Sequence, residues 1–136
     1  MKKYVLVIDD DEGIRKLFCR ALEDLPYSVD TAESGEEGLK LHDVYRYDMI
    51  YLDLNMPGMN GIEVLSRIRA VDKGIPIYII TAFHKDYLEA ITDIYQKGLE
   101  FEIAHKPLSI KQIVSITTEV LEGTKMQKFV KSIFNV

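Results

Sequence analysis

Five short apolar runs alternate with amphipathic segments along this chain, and that alternation restricts its possible folds more than any other feature. Rich in Val, Ile and Leu, as is typical of buried strands, the runs cover residues 4–8, 28–32, 49–52, 75–80 and 100–104. Apolar residues at helical spacing occur at 12–24, 35–45, 61–71, 85–97 and 109–122. Strands that alternate with helices form a parallel sheet covered on both faces. At 136 residues, the chain is therefore predicted to be a single α/β domain.

Aspartates stand at the ends of two of these runs. Asp9, Asp10 and Asp11 follow the first run directly, and Asp53 follows the third. Because the carboxyl ends of parallel strands meet at one edge of a sheet, we expect these carboxylates to lie close together. Two ionised carboxylates ~4 Å apart repel by about 4 kcal/mol at an effective dielectric constant of about 20. A divalent cation with oxygen ligands is the usual way to offset such repulsion, so the sequence predicts a metal-dependent acidic site.

The later runs bring other functional groups to the same edge. Thr81 follows the fourth run, and Lys106 comes shortly after the fifth. The irregular loop 54–61, with two glycines and a proline, can bring a backbone carbonyl towards a metal held by Asp53. This set of groups suits a phosphoryl group carried by an aspartate, because a metal and a lysine stabilise its oxygens and a hydroxyl bonds to them.

Taken in order, these motifs resemble the receiver domain of the two-component response regulators, the family of the chemotaxis regulator that controls flagellar rotation. The resemblance covers about residues 3–122. It rests on Asp9-Asp10, on Asp53 with Asn55-Met56-Pro57-Gly58-Met59-Asn60-Gly61, on Thr81-Ala82 and on Lys106-Pro107. It implies a flavodoxin-like, doubly wound sheet of five parallel strands in the order 2-1-3-4-5.

The resemblance implies a role for each acidic residue. Asp53 would accept a phosphoryl group from a phosphohistidine on a sensor histidine kinase or a histidine phosphotransfer protein. The carboxylates of Asp10 and Asp53 and the backbone carbonyl of Asn55 would bind Mg²⁺ or Mn²⁺. Asp9 would act mainly through a metal-bound water. The domain would catalyse its own phosphorylation and slow dephosphorylation, and would be a signalling switch rather than a turnover enzyme.

The other site residues are assigned in the same way. Lys106 would pair with Asp53 in the free form and with the phosphoryl group afterwards, and its bond to Pro107 is cis in relatives. Thr81 would swing in to bond a phosphoryl oxygen. A partner or homodimer face would lie over residues 85–122.

One position departs from the family pattern. Relatives usually carry Tyr or Phe three residues before the lysine, as a rotamer switch, but this chain has Ile103 there and Phe101 two residues earlier. On strand alternation, Ile103 and Phe101 would face the same side. Output is then expected to rely on the backbone after Thr81 and on the helix at 85–97. Phe83 is expected to flank the path of the attacking water and to slow hydrolysis of the phosphoryl group.

Composition excludes several other classes. The net charge of −5 argues against direct nucleic-acid binding, and no apolar stretch approaches the ~20 residues of a membrane span. Without a signal-peptide pattern, the chain is expected to be cytoplasmic. The single cysteine, Cys19, cannot form an internal disulfide and lies on an apolar helical stripe, which predicts inert core packing.

Residues 123–136 form a separate segment in this interpretation. They carry Lys125, Lys128 and Lys131 with no acid, and apolar residues recur between them at helical spacing. The segment is either an added helix packed on its own domain, a partner-binding or dimerising helix, or the stub of a linker. Residues 1–122 are then the receiver domain, whether stand-alone, a phosphorelay intermediate or part of a longer protein.

Two other readings account for part of the pattern. A haloacid-dehalogenase-like phosphatase would use Asp9 as its nucleophile together with Thr81 and Lys106. It needs a later acidic pair for Mg²⁺, and after Lys106 only Glu119 and Glu122 follow, inside a predicted helix. A phosphorylation-independent binding module with the receiver fold should lack an acid, the threonine or the lysine, and none is missing. An NTPase is excluded because no GxxxxGK[ST] loop is present.

Overall fold

The computed structural model describes the backbone of residues 2–82 and 85–134, and the side chains of residues 2–82 and 88–123. Strands and helices alternate throughout these ranges, as the sequence pattern predicts. The elements are β1 (Lys3–Ile8), α1 (Glu12–Leu22), β2 (Tyr27–Ala32), α2 (Gly35–Val44), β3 (Met49–Asp53), α3 (Gly61–Val71), β4 (Ile77–Thr81), α4 (Lys85–Gln96), β5 (Glu102–His105) and α5 (Ile110–Phe134).

The five strands form one parallel sheet in the order β2-β1-β3-β4-β5, which confirms the predicted fold class. β1 lies between β2 and β3, with Ile8 paired to Ala32 on one side and to Leu52 on the other. In the next pair, Asp53 is level with Ile80. This register brings the ends of β1, β3 and β4 to one edge of the sheet.

Both faces of the sheet are buried, so each central strand is almost continuously apolar. On one face, residues of α3 and α4 pack over Leu6, Ile8, Ile50 and Leu52. On the other face, α1 and α5 cover Val5, Val7, Met49 and Tyr51. All eight of these strand residues are fully buried, so the strands that carry the acidic residues are held from both sides.

Polar side chains define where several helices begin. Asp11 is the N-cap of α1, and its carboxylate accepts hydrogen bonds from the N–H groups of Gly13 (2.8 Å) and Ile14 (3.2 Å). Ser34 caps α2 in the same way, and the hydroxyl of Ser109 accepts from the N–H of Gln112 before α5. These contacts satisfy N–H groups that the first helical turn leaves unpaired.

The prediction for Cys19 was wrong, because this residue is exposed. Helical spacing placed it on the apolar stripe of α1, but the stripe that is buried against the sheet consists of Phe18, Ala21 and Leu22. Each residue is rotated by about 100° from the one before it in a helix of 3.6 residues per turn. Cys19 therefore follows the buried Phe18 onto the solvent side.

The last helix is interrupted at one residue. Gly123 has φ 75° and ψ −168°, which is not helical, and the helical backbone resumes and continues to Phe134. Lys3 Nζ donates to the carbonyl of Leu121 just before this break. Among the described residues, no helix is long and apolar enough to cross a membrane.

Candidate functional site

Three carboxylates meet at the carboxyl edge of the sheet, as the sequence predicts. Asp9 follows β1 and Asp53 ends β3, and Asp10 is next along the chain. One oxygen from each of the three carboxylates lies within 4.8 Å of the others. Asp9 is fully buried, Asp53 is 3% exposed and Asp10 is exposed, so the cluster opens to solvent on one side.

Lys106 provides the positive charge of this cluster. Its Nζ lies 3.1 Å from Asp9 Oδ2 and 3.3 Å from Asp53 Oδ1. The Lys106–Pro107 peptide bond is cis, as the resemblance to the family implies. The main-chain N–H of Lys106 also donates to the carbonyl of Thr81 at 2.9 Å, so the loop after β5 is tied to the end of β4.

Burial and mutual repulsion perturb the ionisation of this group. Burial, followed by the charge of Asp9, raises the pKa of Asp53 to about 6, although Lys106 acts in the opposite direction. Burial likewise raises the pKa of Asp9. Burial alone would lower the pKa of Lys106, but the two carboxylates raise it above its ordinary value. The lysine is therefore charged at neutral pH, whereas ionisation of Asp53 requires more free energy than ionisation of an ordinary aspartate.

Thr81 and Asn55 complete the set of predicted site residues. Thr81 ends β4 in a buried position, and its hydroxyl donates to the carbonyl of Ala82 at 2.9 Å. Asn55 is exposed, and its main-chain N–H lies 3.4 Å from Asp53 Oδ1. The structure thus brings the three acids and Lys106 into one cluster and places Thr81 and Asn55 at the same sheet edge.

Gly61 belongs to the loop motif on which the family resemblance rests, but the sequence did not predict a role for it. A Cβ atom built on Gly61 would lie 2.3 Å from the carbonyl oxygen of Asp53 and 2.7 Å from the Cα atom of Leu54. The N–H of Gly61 also donates to the carbonyl of Leu54 at 3.1 Å. The start of α3 therefore packs on the main chain that carries Asp53, and only glycine fits there.

Arg15 is a second such residue. It lies on α1, and its Nη1 donates to the main-chain carbonyl of Asp9 at 2.8 Å. The sequence contained only a weak signal for it, namely a basic residue in the first turn of the helix that follows the acidic run. Because Arg15 bonds to a backbone oxygen, the contact could not be predicted from complementary side chains.

The oxygen donors of this cluster fit a hard divalent cation. Within the described residues, Asp9 Oδ2 is a buried side-chain oxygen without a hydrogen bond of good geometry, although Lys106 lies within ion-pair distance. Mg²⁺ prefers carboxylate and carbonyl oxygens and keeps several of its waters. The exposed side of the cluster, at Asp10, gives room for such waters.

Comparison with known proteins decides the family. Residues 5–118 match the family model of the response regulator receiver domain. The chain belongs to this family. The receiver domain is 34% identical over 119 residues to the transcriptional regulatory protein GlrR of Escherichia coli (strain K12), which covers 88% of this chain and 26% of GlrR. It is 33% identical over 113 residues to sporulation initiation phosphotransferase F of Bacillus subtilis (strain 168), which covers 83% of this chain and 89% of that protein.

A solved structure supports the same relationship. The response regulator protein TrrA of Thermotoga maritima, in complex with Mg²⁺–BeF, matches this receiver domain with a TM-score of 0.73 at 33% identity. The match covers 88% of this chain and 99% of TrrA. By contrast, the chain spans between 25% and 46% of the length of four transcriptional regulators that it matches.

Ile103, the residue that departs from the family pattern, and the nearby Phe101 occupy different positions relative to the last strand. Ile103 lies in β5 and is half-buried, whereas Phe101 precedes the strand and packs against the core on the α3 side of the sheet. That the two side chains face the same way stays a prediction. Phe83, expected to flank the path of attacking water, lies outside the described residues, so its effect on hydrolysis also stays a prediction.

Proposed function

We propose that this receiver domain accepts a phosphoryl group on Asp53 from a phosphohistidine of a sensor histidine kinase or a histidine phosphotransfer protein, in a reaction that requires Mg²⁺ or Mn²⁺. The observation that carries the proposal is the cluster of three carboxylates, all with oxygens within 4.8 Å, beside a lysine 3.3 Å from Asp53. Phosphorylation then changes contacts with other proteins. The domain is a switch, and slow hydrolysis of the acyl phosphate resets it.

The contacts of Asp53 suggest which of its oxygens attacks. Within the described residues, Lys106 Nζ and the Asn55 N–H both approach Oδ1, so we assign the attack to Oδ2. A bond forms between Oδ2 and phosphorus while the bond between phosphorus and the donor imidazole nitrogen breaks, and the imidazole takes up a proton from solvent. Lys106 and its neighbouring cation site then face the added negative charge.

The cation would be held by the carboxylates of Asp10 and Asp53 and by the carbonyl of Asn55, with Asp9 acting mainly through a bound water. Bound there, a divalent cation supplies positive charge for the phosphoryl oxygens and offsets the repulsion within the cluster. Asp9 is also anchored by the protein, since Oδ1 accepts from the Asp11 N–H at 2.9 Å and Oδ2 lies 3.1 Å from Lys106. With both oxygens in contact with other groups, Asp9 is poorly placed to act as a nucleophile, which argues against a phosphatase reaction.

Thr81 is the proposed link between chemistry and signal. Its hydroxyl would leave the carbonyl of Ala82 and donate to a phosphoryl oxygen on Asp53, which would pull on the backbone after β4. Partners or a second copy would read the change over residues 85–122. Residues 123–136 are proposed to be an extension distinct from the domain of residues 1–122, and the non-helical Gly123 supports that division. A cytoplasmic site of action, without direct nucleic-acid or membrane contact, completes the proposal.

Intact-mass spectrometry tests the function directly. The chain is incubated with acetyl phosphate and Mg²⁺, and the modified residue is mapped, with Asp53→Asn as the control. A phosphate-sized mass gain that disappears in Asp53→Asn, and also when EDTA is added before the donor, is the expected result. Modification at Asp9 would support the phosphatase alternative. An unmodified protein with every donor, including a phosphorylated histidine kinase, would support a phosphorylation-independent module.

A further inference from the structure

We propose that Arg15 is a positioning residue for the cation site, because it holds the main chain of the acidic turn from which Asp10 projects. The inference rests on the proposed function of the site, but it concerns a residue outside the acceptor, the metal ligands, the threonine and the lysine. The observation that carries it is the contact of 2.8 Å between Arg15 Nη1 and the carbonyl oxygen of Asp9.

The acidic turn is held from three directions. The N–H of Asp9 donates to the carbonyl of Ala32 in β2 at 3.0 Å, and its carboxylate accepts from the N–H of Asp11 at 2.9 Å. Arg15 holds the third polar group, the carbonyl of Asp9. That carbonyl belongs to the peptide bond joining Asp9 to Asp10, so its direction sets the direction in which Asp10 leaves the turn.

Asp10 depends on this arrangement more than its neighbours do. Asp9 and Asp53 are buried and contact Lys106, whereas Asp10 is exposed and, within the described residues, no side-chain hydrogen bond holds its carboxylate. Its oxygen nevertheless lies within 4.8 Å of oxygens of the other two acids. The main chain is therefore what places the carboxylate of Asp10, and Arg15 supports that main chain.

Arginine suits this task for two reasons. Its guanidinium group offers several N–H donors in a fixed plane, and it is always a cation in proteins, unlike the amide of glutamine. It is half-buried and bonds to a peptide oxygen rather than to a carboxylate, so it supports the acids without replacing the cation. The next residue, Lys16, has the same charge but pairs with Glu12 at 3.2 Å, with 76% of its side chain exposed. Lys16 is thus a matched control for the loss of charge alone.

The test compares the full chains of the wild type, Arg15→Gln, Arg15→Lys and Lys16→Gln. The dissociation constant for Mg²⁺ is measured by isothermal titration calorimetry without any phosphodonor. We expect Arg15→Gln to weaken Mg²⁺ binding by about tenfold, the lower end of what loss of an outer-shell partner costs a metal site. Arg15→Lys should recover part of the affinity, and Lys16→Gln should stay within about twofold of the wild type, since surface charges contribute little.

A second readout separates positioning from general stability. The rate of labelling by acetyl phosphate is measured against Mg²⁺ concentration, and melting temperatures are measured in EDTA. Positioning of the cation site predicts that Arg15→Gln needs more Mg²⁺ for half-maximal labelling but reaches a near-normal maximal rate. An unchanged calorimetric constant in Arg15→Gln, or a weakening equal to that in Lys16→Gln, would overturn the inference. If the wild type binds Mg²⁺ but is never labelled, the proposed function fails, while the calorimetric comparison still decides the role of Arg15.

Discussion

The Cα atom of Gly61 packs directly on the carbonyl group of Asp53. A side chain at this position would place its Cβ atom 2.3 Å from that oxygen, well inside van der Waals contact. The main chain of Asp53, the proposed phosphoacceptor, is therefore in close contact with the first residue of α3. Any displacement there moves the main chain from which Asp53 and Asn55 are presented.

Gly61→Ala should lower both stability and labelling. The clash is with backbone atoms that cannot rotate away, so we expect the free energy of unfolding to fall by about 1–3 kcal/mol, as for overpacked cores. Urea denaturation measures this loss. Gly74→Ala is the matched control, because a Cβ atom built there has no neighbour within 4 Å. Equal stability of the two variants would show that the loop adjusts freely and that Gly61 is not a constraint.

Lys106→Ala should slow labelling by acetyl phosphate while retaining some of it. Without the ammonium group, the repulsion between Asp9 and Asp53 is no longer offset and the pKa of Asp53 rises further. A loss of about 10²-fold in rate is expected, the usual effect of removing one preorganised electrostatic contact. Lys97→Ala is the control, since Lys97 lies 3.1 Å from Asp93 with both side chains more than half exposed. A normal rate and full switching in Lys106→Ala would contradict the proposed role of the lysine.

The pH dependence of Mg²⁺ binding should report the pKa of Asp53, which is raised to about 6 from an ordinary 3.8. Between about pH 4 and pH 6, the metal-free native state keeps a proton that the unfolded chain has lost, so this residue makes the free energy of unfolding fall as the pH rises. Mg²⁺ needs the ionised carboxylate, so its affinity should rise over the same range. We expect binding about tenfold weaker at pH 5 than at pH 7.

Calorimetric titration with Mg²⁺ at pH 5, 6, 7 and 8 measures that profile, with Asp53→Asn as the comparison. The variant should bind more weakly and with a flatter pH dependence. The same affinity for the wild type at pH 5 and pH 7 would mean that Asp53 has an ordinary pKa. Removing Mg²⁺ should also raise the apparent pKa of the acidic group, because the carboxylates lose their counterion.

Asp53→Asn should be more stable than the wild type in EDTA at pH 7.5. The substitution removes one of two buried negative charges and leaves Lys106 paired with Asp9, so we expect a gain of about 1–2 kcal/mol in the free energy of unfolding. Thermal and urea denaturation check it. Asp93→Asn alters an exposed ion pair and should change stability by less than about 0.5 kcal/mol. A loss of stability in Asp53→Asn would show that Lys106 already neutralises the cluster.

Every helix and strand was predictable from its apolar pattern, but two strands begin two residues later than predicted. The fourth strand was predicted from residue 75 and begins at Ile77, since Pro76 has no N–H group for the ladder. The fifth was predicted from residue 100 and begins at Glu102, where pairing with Tyr78 starts. Apolar composition indicates burial, whereas strand limits depend on partners from elsewhere in the chain.

The residues of the candidate site likewise fall into those that the sequence could predict and those that it could not. Asp9, Asp53 and Lys106 could be found because charged groups at strand ends have a chemical signature, and the parallel sheet brings those ends together. Arg15 and Gly61 act on main-chain atoms, which every residue possesses, so nothing in their residue types pointed to a target. The prediction that Cys19 is buried failed because helical spacing shows which face of a helix is apolar, but not how many residues of that face the sheet covers.

The hydrogen bond from Thr81 to Ala82 has a consequence for the strength of signalling. A hydroxyl group has a single proton, so a phosphoryl oxygen on Asp53 and the carbonyl of Ala82 would compete for it. The proposed activation would therefore have to break an existing hydrogen bond. The ratio of the two states of Thr81 would depend on the difference in free energy between its bond to Ala82 and its bond to the phosphoryl oxygen. Because about 1.4 kcal/mol changes such a ratio tenfold, small changes in the strength of the bond to Ala82 would set what fraction of phosphorylated molecules adopts the signalling state.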